Sequence, residues 1–153
     1  MAKENIIEFD TRLGMQKVAL ERIIRFPKGL IGYEGVRDFA LIQIREGVPF
    51  LVLQSLEDKR LGLMVADPYS FVDGFTVKLN DAEQNMLNVD RPDQVSVLVT
   101  VSIPHGRPEE TCLNLSGPII INHEARIGLQ VPQSDPSQPG KVFLHRQVEN
   151  KRT

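Results

Sequence analysis

The chain has 153 residues, 41% apolar and 25% charged, with 18 Lys and Arg against 20 Asp and Glu. That composition supports one folded domain and excludes wholesale disorder, and a net charge of −2 argues against binding nucleic acid by broad phosphate neutralisation. Cys112 is the sole cysteine, so neither a disulfide framework nor a cysteine zinc site is expected; short apolar runs predict no membrane span, the first residues predict no secretory leader, and a cytoplasmic protein is the expectation.

Strand signals dominate the chain from its start. Ile6 to Phe9 reads as a first short strand, and the apolar-rich run Leu20 to Phe26 stops at Pro27. Phe39 to Arg45, rich in β-branched and aromatic residues, Phe50 to Ser55 and Gly62 to Ala66 are short and closely spaced, which predicts an antiparallel meander. The last of them ends on Asp67-Pro68, a turn-initiating pair. Phe75 to Leu79 alternates, with Phe75, Val77 and Leu79 on one face. Asp81 to Asn88 is the one helix expected in the body, capped by Asn80 or Asp81, with Met86 and Leu87 turned to the sheet.

Gln94 to Ile103 is the longest strand-like segment, with Val95, Val97, Val99, Val101 and Ile103 on one face at period two. Leu113 to Leu115, Ile119 to Ile121 and Ala125 to Val131 complete the set. Gln133 to Gly140 reads as a Pro-containing linker, and Val142 to Val148 as a short helix beyond it. The expected fold is all-β: a small, single-domain, antiparallel β-barrel-like body over 1–131, one short helix near Asp81–Asn88, and a linker and C-terminal tail over 132–153. Closure is favoured because it removes sheet edges.

Reactive chemistry is sparse. His105, His123 and His145 have no metal-pair spacing, there is no nucleophile elbow, and Cys112 in its strand-like run reads as a small buried hydrophobe. Gly29, Gly32 and Gly35 do not follow a phosphate-loop pattern; they read as sites of chain reversal. No catalytic, cofactor or metal residue is assigned, and no enzyme is expected. Charge is skewed instead. Residues 132–153 carry +2 and the remainder −4, with eight acidic and four basic residues between Glu57 and Asp93. An acidic middle suits a basic protein partner.

Four stretches stand out as a set: Ile24-Arg-Phe-Pro-Lys-Gly-Leu-Ile-Gly-Tyr-Glu34; Pro49-Phe-Leu-Val-Leu-Gln-Ser55; Leu63-Met-Val-Ala-Asp-Pro68; and Cys112-Leu-Asn-Leu-Ser-Gly-Pro-Ile-Ile-Ile-Asn122 with Arg126-Ile-Gly-Leu-Gln130. In this order and spacing the chain resembles the flagellar assembly factor FliW family, from about Ile6 to Val131 and more loosely over Lys141 to Arg146. The resemblance implies a cytoplasmic, minimal β-barrel that binds flagellin and the small basic RNA-binding dimer CsrA. Holding CsrA relieves its repression of flagellin translation, and the two partners exchange on the factor. No cofactor, direct nucleic-acid contact or membrane is implied, and a monomer is expected.

The four motifs themselves read as turns and core. Contact candidates are the carboxylates Asp67, Asp73, Asp81, Glu83, Asp90 and Asp93, with Phe71 and Phe75 as an apolar anchor flanking Asp73-Gly74. Two alternatives stay open: a ligand-binding barrel with polar groups such as Gln54, Asn114 or His123 in an internal cavity, and an OB-like nucleic-acid binder.

Overall fold

A computed structural model describes residues 6–11, 14–44, 46–133 and 139–144. The first two strands, β1 (Ile6–Thr11) and β2 (Gly14–Ala19), form a hairpin separate from the main sheet. Then come β3 (Ile23–Arg25), β4 (Asp38–Gln43), β5 (Phe50–Ser55) and β6 (Gly62–Ala66), each antiparallel to the next. A long crossover, residues 67–94, carries the helix α1 (Asp81–Met86). The chain returns as β7 (Val95–Ser102) beside β6, followed by β8 (Cys112–Asn122) and β9 (Ile127–Gln130). A parallel pair between β9 and β3, Arg25 opposite Ile127, closes a seven-stranded barrel. Closure leaves no free edge on either of these two strands.

Side-chain alternation decides what fills the bore. Ile24, Phe39, Leu53, Val65, Leu98, Ile119 and Ile121 point inward and pack into one cluster with Phe26 and Leu30. The valines of β7 face the other way. Val95, Val97, Val99 and Val101 lie on the outer wall, where Phe71, Phe75, Val77, Leu79 and α1 cover them. The period-two reading holds from Val95 to Val101, whose apolar face belongs to a second core between wall and crossover, while Ile103 falls past the end of β7 and is exposed.

One end of the bore is stoppered. Leu30, 2% exposed, sits below the Phe26–Phe39 edge-to-face pair, whose centroids are 5.4 Å apart. Gly29 makes this possible: its φ is +65°, and a Cβ there would lie 2.5 Å from the Tyr33 carbonyl oxygen. Gly128 has a packing role, since a Cβ would overlap the Phe26 ring. Gln130 then pins the stopper loop to the wall: its Oε1 accepts from the Ile31 amide (2.8 Å) and its Nε2 donates to the Gly117 carbonyl (2.9 Å).

Several local expectations change. The run Leu20 to Phe26 is a 3-10 turn at Leu20–Arg22 followed by the short β3, and β2 is an additional strand. Phe75 to Leu79 joins no ladder among the described residues; it alternates because it lies across a sheet face, burying Phe75 and half-burying Val77 and Leu79. Leu113–Leu115 and Ile119–Ile121 belong to one strand with a bulge. Leu98 pairs with Ile119 and Thr100 with Asn114, so Ser116-Gly117-Pro118 falls within the extra length. Val142 to Val148 opens as a strand instead: β10 (Lys141–Phe143) pairs with Asn114, Leu113 and Cys112 of β8, Val142 is buried, and helical backbone begins only at Leu144. Residues 145–148 lie outside the described residues, as do 134–138 of the linker.

The expected helix is present and starts where its cap requires. The Asn80 side chain accepts from the Glu83 amide, and the Glu83 side chain accepts from the Asn80 amide, both at 2.8 Å. Leu87, just past its end, is 0% exposed against Ile120, Leu129 and Val131, and Met86 packs beside it. Two turns of helix are marginal alone, so this burial holds α1 in place.

Candidate functional site

All eight contact candidates lie on the crossover, where they have different roles. Asp73, Asp81 and Asp90 are exposed. Asp93 is exposed and paired to Arg91 (3.1 Å). Asp67 is exposed and also structural, its Oδ1 accepting from the Tyr69 amide (2.9 Å). Glu83 is committed to the capping box. Phe71 is half-buried and stacks on Phe50 at 5.7 Å between centroids. Phe75 is 6% exposed and belongs to the outer core, so it is not available as a surface anchor. Apolar burial against β7 and β8 explains its position.

Two buried amides fix the crossover to the barrel. Gln94 accepts at Oε1 from the amides of Asp90 (2.7 Å) and Arg91 (2.9 Å), and its Nε2 donates to Glu124 (2.7 Å). Asn122, 1% exposed at the end of β8, donates to the carbonyls of Leu87 (2.8 Å) and Asn88 (3.1 Å). Its Oδ1 accepts from the amides of Glu124 and Ala125, both at 3.1 Å. Asp90, Arg91, Asp93 and Glu124 are thereby held close together, with Arg91 also reaching Glu124 at 3.3 Å.

The end of the barrel opposite the stopper is open. A cavity of about 540 Å3 enters it, floored by Ile24, Leu41, Leu51, Leu98 and Ile121. Glu21, Arg22, Asp67, Tyr69, Ser96 and His123 form its rim. His123 is tied to the lip by Nε2 at 3.3 Å from the Asp93 carbonyl oxygen. Burial, and next the Asp67 carboxylate, push the Tyr69 phenol above its ordinary value, so it remains a hydrogen-bond donor at neutral pH. Of the eight contact candidates only Asp67 lines this cavity; His123, read from sequence as a polar group for an internal ligand site, stands on its rim. Glu21, Arg22 and Ser96 carried no local signal, because the rim is assembled from segments far apart in the chain.

The polar groups considered for an internal ligand site do not converge. Gln54 points outward and donates to the carbonyls of Ser55, Lys59 and Leu61 at 3.0–3.2 Å. Asn114 donates to Thr100 and Ser102, at the opposite side from His123. The bore between them is filled by apolar side chains. Among the described residues no group of three or more His, Cys, Asp or Glu is placed to hold a metal ion, and no helix is long and apolar enough to cross a membrane.

Fold and surface define a class: a minimal closed β-barrel, wrapped on its outer wall by its own crossover, with exposed carboxylates along that crossover and one open end. The family model described as FliW protein matches residues 8–144, and the chain belongs to the FliW family. It is 58% identical over 150 residues to a flagellar assembly factor FliW of Nitratidesulfovibrio vulgaris strain Hildenborough, covering 98% of this chain and 87% of that protein. A flagellar assembly factor FliW of Desulfovibrio desulfuricans is 46% identical over 147 residues, 95% of this chain and 88% of that one. A crystal structure of the flagellar assembly factor FliW superposes with a TM-score of 0.81 at 27% identity, covering 90% of this chain and 96% of the other.

Proposed function

We propose that this protein acts in flagellar assembly by stoichiometric binding, holding CsrA and flagellin in turn and catalysing no reaction. Bound CsrA is withdrawn from flagellin mRNA, so flagellin synthesis follows its export. The protein works in the cytoplasm as a monomer and needs no cofactor. Family membership supports the setting. The observation that carries the binding chemistry is the row of exposed carboxylates, Asp67, Asp73, Asp81, Asp90 and Asp93, on a crossover anchored by Gln94 and Asn122. A basic surface that ordinarily holds RNA phosphate is attracted to such carboxylates. The filled bore counts against an internal ligand site.

The test is calorimetric titration of the purified protein with CsrA and with flagellin, separately and in competition. Complexes with both are expected, the CsrA complex weakening as salt screens the rim charges. Absence of association with either partner at low salt refutes the proposal.

A further inference from the structure

The two ends of the barrel are built differently. Leu30 and the Phe26–Phe39 pair fill one. At the other, Leu41 and Leu51 of the bore cluster are only half-buried and face the 540 Å3 cavity. Apolar surface at the base of a concave site gains from being covered. A cavity in the range of about 300–1,000 Å3 admits more than one side chain, as much as a loop tip or a helical turn presents.

The rim specifies the charge of that visitor. Glu21 and Asp67 stand on it beside Arg22, and Asp93 and Glu124, bonded to the lip residues His123 and Gln94, lie outside it against Arg91. Arg91 is engaged by both outer carboxylates, at 3.1 and 3.3 Å. Tyr69, 47% exposed, adds an aromatic face and a phenol donor. The lip is pre-formed, since the buried side chains of Gln94 and Asn122 hold residues 90–94 and 122–125 through partly buried hydrogen bonds. Pre-formed sites lose less on binding.

We infer that the open end of the barrel is a docking socket for the basic partner: it takes an apolar tip of that protein, flanked by Lys or Arg side chains that meet Glu21 and Asp67. This rests on the reading of the protein as a CsrA antagonist and places the contact at a defined site. It predicts that the socket, rather than the flank carrying Asp73 and Phe71, supplies most of the CsrA affinity.

Ser96 offers a direct test. It is exposed on the rim, and its cross-strand neighbour Ile121 lies in the bore cluster, so an indole at this position enters the socket. Wild type, Ser96→Trp, Ser96→Ala and Glu21→Lys are titrated with purified CsrA and with flagellin, and each variant is melted. Ser96→Trp is expected to weaken CsrA binding at least tenfold with flagellin binding and Tm unchanged, and Ser96→Ala to bind as wild type. Glu21→Lys, on the surface 3-10 turn, keeps a test available if the indole unfolds the barrel; it is expected to weaken CsrA binding severalfold and flatten its salt dependence. Undiminished CsrA binding by folded Ser96→Trp, or by Glu21→Lys, overturns the socket while leaving the antagonist reading intact. Selective loss of flagellin binding overturns the assigned occupant. No CsrA binding by wild type overturns both.

Discussion

Asn122 ties the acidic crossover to the barrel, and its replacement has a calculable cost. Asn122→Ala removes four hydrogen bonds, two donated to the carbonyls of Leu87 and Asn88 and two accepted from Glu124 and Ala125. Glu124 and Ala125 are exposed, so water replaces their partner at a net loss of about 1 kcal/mol in total. The bond to the Leu87 carbonyl is buried, and an orphaned buried acceptor costs about 1–3 kcal/mol. The expected loss is about 2–4 kcal/mol, or a Tm lower by about 10 °C at the usual 2–4 °C per kcal/mol for a chain of this size.

Asn122→Asp separates the two halves of the network. It keeps the acceptor for Glu124 and Ala125 but sets a carboxylate against two carbonyl oxygens, so it should be less stable than the alanine variant at pH 7. The folded state raises the pKa of this carboxyl. The penalty is therefore absent at pH below the unfolded value of about 3.9 and fully felt above the folded value. Urea titrations of the three proteins at pH 7 and pH 4 measure all of this. An alanine variant within about 0.5 kcal/mol of wild type, or an aspartate variant more stable than alanine at pH 7, refutes the account.

Further outcomes follow from the same geometry. Gly29→Ala should cost more than about 2 kcal/mol, because positive φ and close backbone both oppose the methyl, whereas Gly35→Ala meets open space and should be near neutral by urea unfolding. Glu83→Lys breaks the capping box and should lose about 1 kcal/mol, while Asp73→Lys should leave Tm unchanged and slow CsrA association at low salt, as stopped-flow mixing would detect. The raised Tyr69 pKa lets the unfolded chain ionise first, so stability should fall as pH rises from about 10 to the folded pKa; Tyr69→Phe should show a shallower fall in alkaline denaturation.

Much of the architecture was legible along the chain. The meander from β4 to β6 follows from three short apolar runs between turn residues, and α1 from Asn80, Glu83 and the apolar pair Met86 and Leu87. These are local signals, carried by neighbours within a few residues. Less legible was any feature whose partner is remote. Phe75 has the same pattern in an exposed strand as in a covering segment, so nothing local distinguishes an anchor from a core residue. β10 has only three residues, and its ladder exists because β8 supplies the other side. Asn122 looked like the end of an apolar run; its function depends on carbonyls some 34 and 35 positions away.

Composition, periodicity and turn chemistry by themselves determined a small all-β protein with little reactive chemistry and an acidic middle, because those properties are sums or short-range patterns. The motif set pointed to the family. Tertiary structure decided which face of each strand is inside, since alternation names two faces without ranking them. It turned the valines of β7 outward because the crossover is there to cover them. It also stoppered one barrel end with Leu30 and left the other as an apolar cavity with an acidic rim. Closure of the sheet, which brings residues 21, 67, 96 and 123 around one opening, is the physical reason that site was invisible in the linear chain.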